Sequence, residues 1–319
     1  MNASTSRRSL GMGLVAASLA ACAPRGAGAP APALKIGSQK GGTKALMLAS
    51  GALVGAPYKV EWSEFAAAQP LLEAIAAGAV DVGAVGDAPF LFAFASGTPI
   101  KAVQASKASG GGSGTQILVQ GGSPIRAASG LRGRKIATGR GSIGHYVLLK
   151  VLEREGIKPA EVSIVFLSPG DAKAAFTSGS IDAWATWGPY VALAKADGAR
   201  ALADGKGILS GYGFDVAGPR AIADKRPQLE DFLRRLARAK RWVADHKAEY
   251  AAVLSKETGL APAITAYTVT NTRSEPVPID ATVIAEEQRT LDGFRAAGAL
   301  AASPDLAAGF DLSFNIALT

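Results

Sequence analysis

The chain contains an internal repeat, and no other feature limits its possible folds as strongly. Residues 34–53 and 134–153 share one pattern, in which a short apolar strand containing Lys-Ile precedes a glycine-rich loop and an amphipathic helix. Farther along, residues 71–86 and 172–188 both predict a helix that ends at a glycine and a strand that opens with an aspartate. Each copy therefore predicts the strand–helix alternation that is typical of a parallel sheet covered by helices.

The two copies predict an α/β protein of two similar lobes. Ligands of open α/β sheets bind beyond the carboxyl ends of the strands. We therefore expect a cleft between the lobes, lined by residues 38–42 and 86–89 of the first copy and 139–144 and 187–189 of the second.

The connections between the lobes are also predicted from the sequence. Residues 114–120 predict the strand that crosses to the second lobe, and residues 211–218 predict the returning strand. Lobe 1 then spans residues 34–116 and lobe 2 spans residues 117–213, while residues 214–319 return to lobe 1 and add C-terminal helices. Those helices are expected at residues 227–247, 248–258, 262–271 and 280–298.

Residues 1–21 predict a lipoprotein signal peptide. Arg7 and Arg8 precede a short apolar run, and Leu-Ala-Ala-Cys, which ends at Cys22, resembles a bacterial lipobox. This predicts an export signal cleaved before Cys22 and a periplasmic protein anchored by lipid on that cysteine, with an ordinary signal peptide as the alternative. The twin arginines leave the Sec and twin-arginine export routes both open. Residues 22–33 predict a Pro/Gly/Ala linker.

Composition argues against several chemistries. The single cysteine, Cys22, leaves no disulfide, cysteine nucleophile or thiolate metal site once it carries lipid. The two histidines are distant in sequence, and neither a zinc-protease nor a hydrolase motif occurs. The basic run at residues 234–241 lacks interleaved aromatics, which favours a solvated helix face over a nucleic-acid surface. We therefore expect a protein that is not an enzyme and that uses no metal, cofactor or nucleic acid.

The net charge suits an anionic ligand. It is +8 for the whole chain, and removing Arg7 and Arg8 with the signal leaves 32 basic and 26 acidic residues, or +6. A modest positive field of this kind favours anions without selecting one.

The loop "GRGSIG" is the leading candidate site. Gly139, Gly141 and Gly144 spell G-x-G-x-x-G, the fingerprint of dinucleotide binding, but the motif lies in the second copy of a repeat in an exported chain. The same loop chemistry makes an anion site, because backbone N–H groups converge at a helix N-terminus. Ser142 adds a hydroxyl. His145 either donates to the ligand or is a buried ring bonded to the backbone.

Four other residues are candidates for the cleft. Gln39, in the matching loop of lobe 1, is able to bridge an oxyanion. Asp87 is expected to cap the helix that begins at Ala88, with a ligand ammonium as the second interpretation. Trp187 predicts an apolar wall. Asp215 either meets a ligand cation or forms an ion pair across the hinge.

Four segments resemble a known family: "IGSQKGG", "GAVGDAPFLFAFASG", the block from "LRGRKIATGRGSIGHYVLL" to "LSPGDAKAAFTSGSIDAWATWGPY", and "VPIDATVIAEEQRTLDGF". The chain resembles the substrate-binding proteins of aliphatic sulfonate, taurine and nitrate ABC importers, nearest to the alkanesulfonate branch, from Leu34 to its end. The resemblance implies a two-lobed type II periplasmic binding protein fold with two hinge-crossing strands. It also implies a monomer that captures an aliphatic sulfonate and delivers it to the transmembrane subunits of an ABC permease.

The resemblance also implies the ligand contacts. The sulfonate oxygens are expected at residues 141–145, with further contacts from the opposite lobe and two residues near the pocket. These residues are Gly141, Ser142, Ile143, Gly144 and His145, then Gln39, Gly86, Asp87 and Ala88, and finally Trp187 and Arg273. At Ile143 and Gly188 the sequence departs from the family pattern, and these departures are expected to affect which ligand tail fits, more than the head group. Taurine, nitrate and a thiamine-pyrimidine precursor are the alternative ligands, and an exported enzyme on the same fold or a structural lipoprotein are the alternative classes.

Overall fold

The computed structural model describes residues 33–40, 42–271, 274–302 and 304–318. Cys22 and Arg273 lie outside these residues. The strands are β1 (Leu34–Gln39), β2 (Val60–Phe65), β3 (Val82–Gly86), β4 (Lys101–Ala108), β5 (Thr115–Val119), β6 (Lys135–Thr138), β7 (Ser163–Phe166), β8 (Ala183–Trp187), β9 (Arg200–Asp204), β10 (Tyr212–Ala217) and β11 (Ser274–Val277). The α-helices are α1 (Thr43–Ala49), α2 (Ala68–Ala76), α3 (Asp87–Ala95), α4 (Ile143–Arg154), α5 (Pro169–Thr177), α6 (Gly188–Ala196), α7 (Pro219–Asp224), α8 (Arg226–Trp242), α9 (Lys247–Thr258), α10 (Pro262–Asn271) and α11 (Ala281–Ala296).

The strands form two sheets that are built alike. The first has the order β11-β4-β10-β3-β1-β2 and the second has the order β7-β6-β8-β5-β9. In the first sheet β1 pairs in parallel with β2 and β3, and in the second β6 pairs in parallel with β7 and β8. An antiparallel strand then follows in each sheet, β10 beside β3 and β5 beside β8. The sequence repeat is therefore a structural repeat.

The two repeats use the same local contacts. Asp81 accepts a hydrogen bond from the Lys35 amide at 2.7 Å, and Asp182 accepts one from the Lys135 amide at 2.8 Å. Each aspartate ties the start of its strand to the neighbouring strand. The glycines after the preceding helices adopt the left-handed conformation that commonly ends a helix, with φ of +73° at Gly78 and +75° at Gly179.

Helices cover both faces of each sheet. Phe232 of α8 and Ile36 of β1 share one apolar cluster, whereas Leu71 of α2 and Phe90 of α3 belong to the cluster on the opposite face. The second sheet is enclosed in the same way, and Trp184 of β8 is 2% exposed. Full burial of a leucine, isoleucine or phenylalanine side chain contributes about 1.5–3 kcal/mol to the stability of the fold. The well-packed sheets therefore hold the loops at their edges in fixed positions.

The crossings between the lobes differ from the prediction. Every residue of β5 that pairs does so with β8 or β9, and β10 pairs with β3 and β4. The predicted limits at 116/117 and 213/214 therefore fall inside strands that each belong wholly to one sheet. The segments that join the two sheets are residues 109–114 and 205–211.

The C-terminal region is largely helical, as predicted, with two differences. The first helix, α8, ends at Trp242 rather than at residue 247. The strand β11 was not predicted, because it has four residues and contains Pro276, which is tolerated at the edge of a sheet. Helix α11 packs Phe294 against Ala88 of α3 and Tyr146 of α4, so it contacts both lobes. Within the described residues, no helix is long and apolar enough to span a bilayer.

Candidate ligand-binding cleft

A cleft of about 640 Å³ opens where the two sheets face each other. Its walls come from the loops that follow the parallel strands of both sheets, the positions that the repeat predicts. Five of the predicted site residues line it, namely Gln39, Gly86, Ser142, Ile143 and Trp187. Polar and aromatic residues that were not predicted also line it, among them Thr43, Ser106, Phe166, Ser168, Tyr212, Lys240 and Asn271.

The N-terminus of α4, where Ser142 and Ile143 line the cleft, carries backbone donors that are unpaired. The Ser142 hydroxyl oxygen accepts from the His145 amide at 3.1 Å, and the Ser142 carbonyl oxygen accepts from the Tyr146 amide at 3.1 Å. Within the described part of the chain, the amides of Ile143 and Gly144 have no hydrogen-bond partner. Two backbone N–H groups at a helix N-terminus form a site that favours an anion.

The three glycines of the G-x-G-x-x-G motif differ in how strongly the structure requires a glycine at their positions. Gly141 has a φ of +65°, and a Cβ there would lie 2.5 Å from the ring of Phe92. A Cβ on Gly144 would lie 2.6 Å from the carbonyl oxygen of Ala185 in β8. Gly139 has ordinary space, with the nearest atom at 3.4 Å. The motif therefore lets α4 pack closely on β8 and turn its N-terminus into the cleft.

His145 is a buried ring bonded to the backbone. It is 3% exposed, and its Nδ1 accepts a hydrogen bond from the Gly141 amide at 3.2 Å. Phe166 contacts the ring edge-on, with the ring centroids 5.0 Å apart. Burial, together with the positive charge of Arg140, lowers the pKa of His145 to about 4. The ring is therefore neutral at physiological pH and holds the shape of the loop.

This arrangement predicts a pH effect on stability. An unfolded histidine has a pKa of about 6.5. Between about pH 6.5 and the folded pKa of about 4, the unfolded chain binds a proton that the folded chain does not. The free energy of unfolding is therefore expected to fall by up to about 3 kcal/mol as the pH drops through that range.

The substitution that tests this effect is His145→Asn, whose side-chain oxygen is able to accept from the Gly141 amide. Denaturant titrations of the wild type and the variant at several pH values should show a stability difference that shrinks or reverses toward pH 4. His246→Asn, which removes the other histidine, is the matched control. The same pH dependence in both variants, or a constant difference for His145→Asn, would contradict the assignment.

Arg140 supplies a positive charge in the loop of residues 139–144, the anion loop, which was predicted to line the cleft although Arg140 itself was not named as a ligand contact. Its guanidinium lies 3.9 Å from the centroid of the Phe166 ring, which holds it by a cation–π contact. Arg140 is exposed, lines the cleft and has no carboxylate partner among the described residues. Arg140 and Lys240 are the charged residues of the described lining, so both of its charges are positive. The sequence signal was present, since Arg140 stands inside the "GRGSIG" loop.

Lobe 1 contributes the side-chain amide of Gln39 and the backbone of Gly86 to the wall of the cleft that faces the anion loop. The Gln39 side-chain amide donates to the carbonyl oxygen of Ala84 at 2.8 Å, which fixes the side chain beside the cleft. A Cβ on Gly86 would lie 3.7 Å from Cδ1 of Ile143, so the two lobes approach closely here. Ala88 is fully buried behind this wall.

Asp87 lies away from the cleft lining. Helix α3 begins at Asp87 itself, so the residue in the capping position is Gly86 rather than Asp87 as expected. The Asp87 carboxylate accepts from the Ala88 amide and from the Ser210 hydroxyl, each at 2.6 Å. Burial raises the pKa of Asp87, and burial followed by the charge of Asp87 raises the pKa of the neighbouring Glu287. Asp87 thus joins α3 to the segment that connects the lobes, whereas the buried Glu287 carboxylate of α11 has no hydrogen-bond partner among the described residues.

Asp215 does not line the cleft and instead forms an ion pair with a lysine. Its carboxylate lies 2.7 Å from the Nζ atom of Lys240, and Asp215 itself is 1% exposed. An ion pair is present, as in the second predicted alternative, but it does not cross the hinge as that alternative expected. It joins β10 to α8, so both partners belong to the first sheet and its covering helix.

Trp187 lines the cleft on the side of lobe 2, and Tyr190 packs against it. Trp187 lies over Gly139, with Cη2 3.7 Å from the position of a Cβ there, and contacts Tyr190 edge-on. The Tyr190 hydroxyl donates to the carbonyl oxygen of Ala66 at 3.1 Å. This hydrogen bond connects the two lobes across the cleft.

Other kinds of site find no support among the described residues. No group of three or more potential ligands could hold a metal ion there. The Ser142 hydroxyl oxygen and the His145 ring nitrogen both accept from backbone amides, so they do not form a nucleophile–base pair.

The fold and the cleft define a class, the two-lobed α/β proteins that bind a solute between their lobes. The chain belongs to the NMT1-like family, whose model matches residues 29–256. It is 34% identical to an aliphatic sulfonates-binding protein of Escherichia coli K12 over 268 residues, which are 82% of this chain and 83% of the relative. The predicted family resemblance is therefore confirmed.

Solved structures show the same fold. The alkanesulfonate-binding protein SsuA from Xanthomonas axonopodis pv. citri, bound to MOPS, superposes with a TM-score of 0.81 at 33% identity, covering 88% of this chain and 98% of that one. The predicted fold class is confirmed by this match. The desulfurization enzyme DszB shares the fold at 17% identity, with a TM-score of 0.65 over 89% of this chain and 98% of that one.

Proposed function

We propose that this protein is the solute-binding component of an ABC importer and that it captures an aliphatic sulfonate between its lobes. The charge of the cleft carries this proposal: within the described residues, Arg140 lines it without a carboxylate partner and no carboxylate lines it, while the other lining cation, Lys240, is paired with Asp215. Beside Arg140 are the two unpaired amides of Ile143 and Gly144. A sulfonate is a permanent anion with three oxygen acceptors, which matches a guanidinium and backbone donors.

The rest of the cleft suits an aliphatic tail. Ile143, Phe166, Leu209 and Phe214 give it apolar walls. A bare nitrate would leave these surfaces without contacts. The ammonium of taurine would need a carboxylate, but Asp87 already accepts from Ser210 and Asp215 already pairs with Lys240. Two similar proteins are named as binding proteins for aliphatic sulfonates and for alkanesulfonate, which supports an aliphatic sulfonate as the ligand.

Capture involves closure of the lobes about their two connections. Residues 109–114 and 205–211 contain several glycines, which permit the backbone rotations of a hinge. The Tyr190–Ala66 hydrogen bond then stabilises the closed form. Closure presents both lobes to the transmembrane subunits of the permease, and the ligand is released unchanged. The protein acts as a monomer.

Selectivity for the sulfonate comes from donors that are fixed before the ligand arrives. The Ser142 cap and the Gly141–His145 hydrogen bond hold the amides of Ile143 and Gly144 toward the cleft. A ligand without an anionic head would leave these buried donors unpaired, which costs about 1–3 kcal/mol for each group.

The head-group site is tested by Arg140→Gln. Loss of a hydrogen bond to a charged group costs about 1.5–3 kcal/mol, so the affinity for butanesulfonate is expected to fall about 10- to 100-fold. Isothermal titration calorimetry measures this change. Arg132→Gln, which removes an arginine that pairs with Glu161 and does not line the cleft, is the matched control. Equal affinities of the Arg140 and Arg132 variants would place the head group elsewhere.

We also propose that the protein is held at the periplasmic face of a membrane through lipid on Cys22, after export by the Sec or twin-arginine route. The lipobox-like Leu-Ala-Ala-Cys and the Pro/Gly/Ala linker of residues 22–33 support this arrangement. Cys22→Ser is expected to move the protein from the membrane fraction to the soluble periplasmic fraction. Membrane association that is unchanged in Cys22→Ser would contradict lipid anchoring.

A further inference from the structure

The cleft contains a second polar group, at its edge on the first sheet. Ser106 of β4 and Lys240 of α8 line the cleft there, and Asn271 at the end of α10 also lines the cleft. None of these residues belongs to the anion loop. The Lys240 side chain is only 9% exposed, so it is a largely desolvated charge at the surface of the cavity.

Lys240 has a donor that the protein does not use. An ammonium has three N–H donors. One reaches Asp215 at 2.7 Å and a second reaches the Ser106 hydroxyl at 3.5 Å. No third acceptor is present among the residues that the structure describes. An unfilled donor on a buried ammonium favours a ligand that brings an acceptor.

The strand pairing gives the distance of Ser106 from Gly86, the residue of the first sheet that faces the anion loop. Gly86 pairs with Gly213, and Gly213 pairs with Ser106 on the other side. Neighbouring strands are about 4.8 Å apart, so Ser106 lies about 10 Å from Gly86. Gly86 in turn lies opposite Ile143 of the anion loop. Ser106 is therefore about 10 Å from the position on β3 that faces the anion loop, with the Gly213 backbone between them.

The charge balance selects the kind of acceptor. Asp215 already neutralises Lys240, and a ligand carboxylate placed here would be repelled by Asp215. A ligand ammonium would be repelled by Lys240 and would offer no acceptor. A neutral oxygen acceptor, such as a hydroxyl or carbonyl, fits both constraints.

We propose that Ser106 and Lys240 form a second subsite, which binds a neutral oxygen acceptor at the far end of the sulfonate's tail. The ligand class is an alkanesulfonate with a tail of about four carbons that ends in a hydroxyl or a similar group, since such a chain, hydrogen bonds included, spans the roughly 10 Å from Ser106 to the Gly86 position that faces the anion loop. This inference rests on the proposed function, because it places the sulfonate head in the anion loop.

The experiment compares two ligands of nearly equal shape, 4-hydroxybutane-1-sulfonate and pentane-1-sulfonate, in which a methyl group replaces the hydroxyl. Their dissociation constants are measured by calorimetry on the wild type, on Ser106→Ala and on the double variant Lys240→Met/Asp215→Asn. The double variant removes both charges together, so that neither is left unpaired in the interior. Ser106→Ala provides a second reading if the double variant does not fold.

In the wild type the hydroxyl ligand is expected to bind at least as tightly as its methyl counterpart. In the two variants the ratio of the dissociation constants is expected to shift by about tenfold in favour of the methyl ligand. Ser142→Ala, at the head-group site, should weaken both ligands by the same factor. 4-Aminobutane-1-sulfonate should bind more weakly than both in the wild type.

The possible failures are distinguishable. An unchanged ratio in both variants, with both sulfonates still bound, would overturn the second subsite and leave the proposed function intact. If the wild type binds none of the three sulfonates, the proposed function fails and the subsite fails with it. Tightest binding of the amino ligand would overturn the inference, because it would show that Asp215 faces the ligand.

Discussion

Replacing Gly144 with alanine is expected to damage both stability and anion binding. The new Cβ would lie 2.6 Å from the carbonyl oxygen of Ala185 and 3.0 Å from its carbonyl carbon. These are backbone atoms of β8, which pairs with strands on both sides and cannot move aside. Helix α4 must shift instead, which carries the amides of Ile143 and Gly144 out of position.

Overpacking of this kind costs about 1–3 kcal/mol, and we expect the upper end here because the obstructing atoms are backbone. The affinity for butanesulfonate should fall by at least tenfold in the same variant, since the displaced amides are the donors of the proposed head-group site. Denaturant unfolding and calorimetry measure the two effects.

Gly139→Ala is the matched control for stability, because it lies in the same loop and a Cβ there has its nearest neighbour at 3.4 Å. It should unfold within about 0.5 kcal/mol of the wild type. If Gly144→Ala is as stable as Gly139→Ala and binds sulfonate normally, close packing of α4 on β8 does not position the anion loop.

The second large effect is expected at the ion pair of Lys240 and Asp215. Lys240→Met leaves the Asp215 carboxylate, which is 1% exposed, without its cation. Breaking a buried pair from one side costs about 3–5 kcal/mol. Adding Asp215→Asn to the same chain removes the stranded charge, so the double variant should recover most of this loss.

A double-mutant cycle measures the coupling, with denaturant unfolding of the wild type, both single variants and the double variant. Arg238→Met is the matched control, because Arg238 is an exposed cation on the same helix, and it should change stability by no more than about 0.5 kcal/mol. A loss for Lys240→Met that is no larger than the loss for Arg238→Met would contradict a structural role for the pair.

The repeat made the fold predictable. Strand–helix alternation and the glycines after α2 and α5 are local patterns, and each lobe contains them in the same order. The crossings were less accurate, because residues 114–120 and 211–218 are strands whose sheet is decided by long-range pairing. β11 escaped prediction for a related reason, since its pairing with β4 involves residues far away in the chain.

The candidate site was only partly predictable. Ser142 stands at a helix start that its sequence signals, and it is the cap of α4. Asp87 was expected to cap α3 because it precedes Ala88-Pro89, but the helix starts one residue earlier and the carboxylate is used inside the protein. Burial and distant partners such as Ser210 decide that outcome, and local sequence does not record them.

The helical spacing of α8 could have predicted that Lys240 is buried. The run of residues 234–241 was interpreted as a solvated helix face, yet Lys240 is buried. It follows Leu229, Leu233 and Leu236 at helical spacing, so it shares the apolar stripe of α8 that faces the first sheet. A charged residue in such a stripe indicates a buried partner, and Asp215 is that partner.

The central claim is that the cleft binds an aliphatic sulfonate and releases it unchanged. The most direct test is calorimetry of the purified protein with butanesulfonate, taurine, sulfate and nitrate, followed by chromatography of the recovered ligand. We predict one-to-one binding that is tightest for butanesulfonate, with all of the ligand recovered intact. Binding of nitrate, sulfate or taurine with no response to butanesulfonate, or conversion of the sulfonate to another compound, would contradict the proposed function.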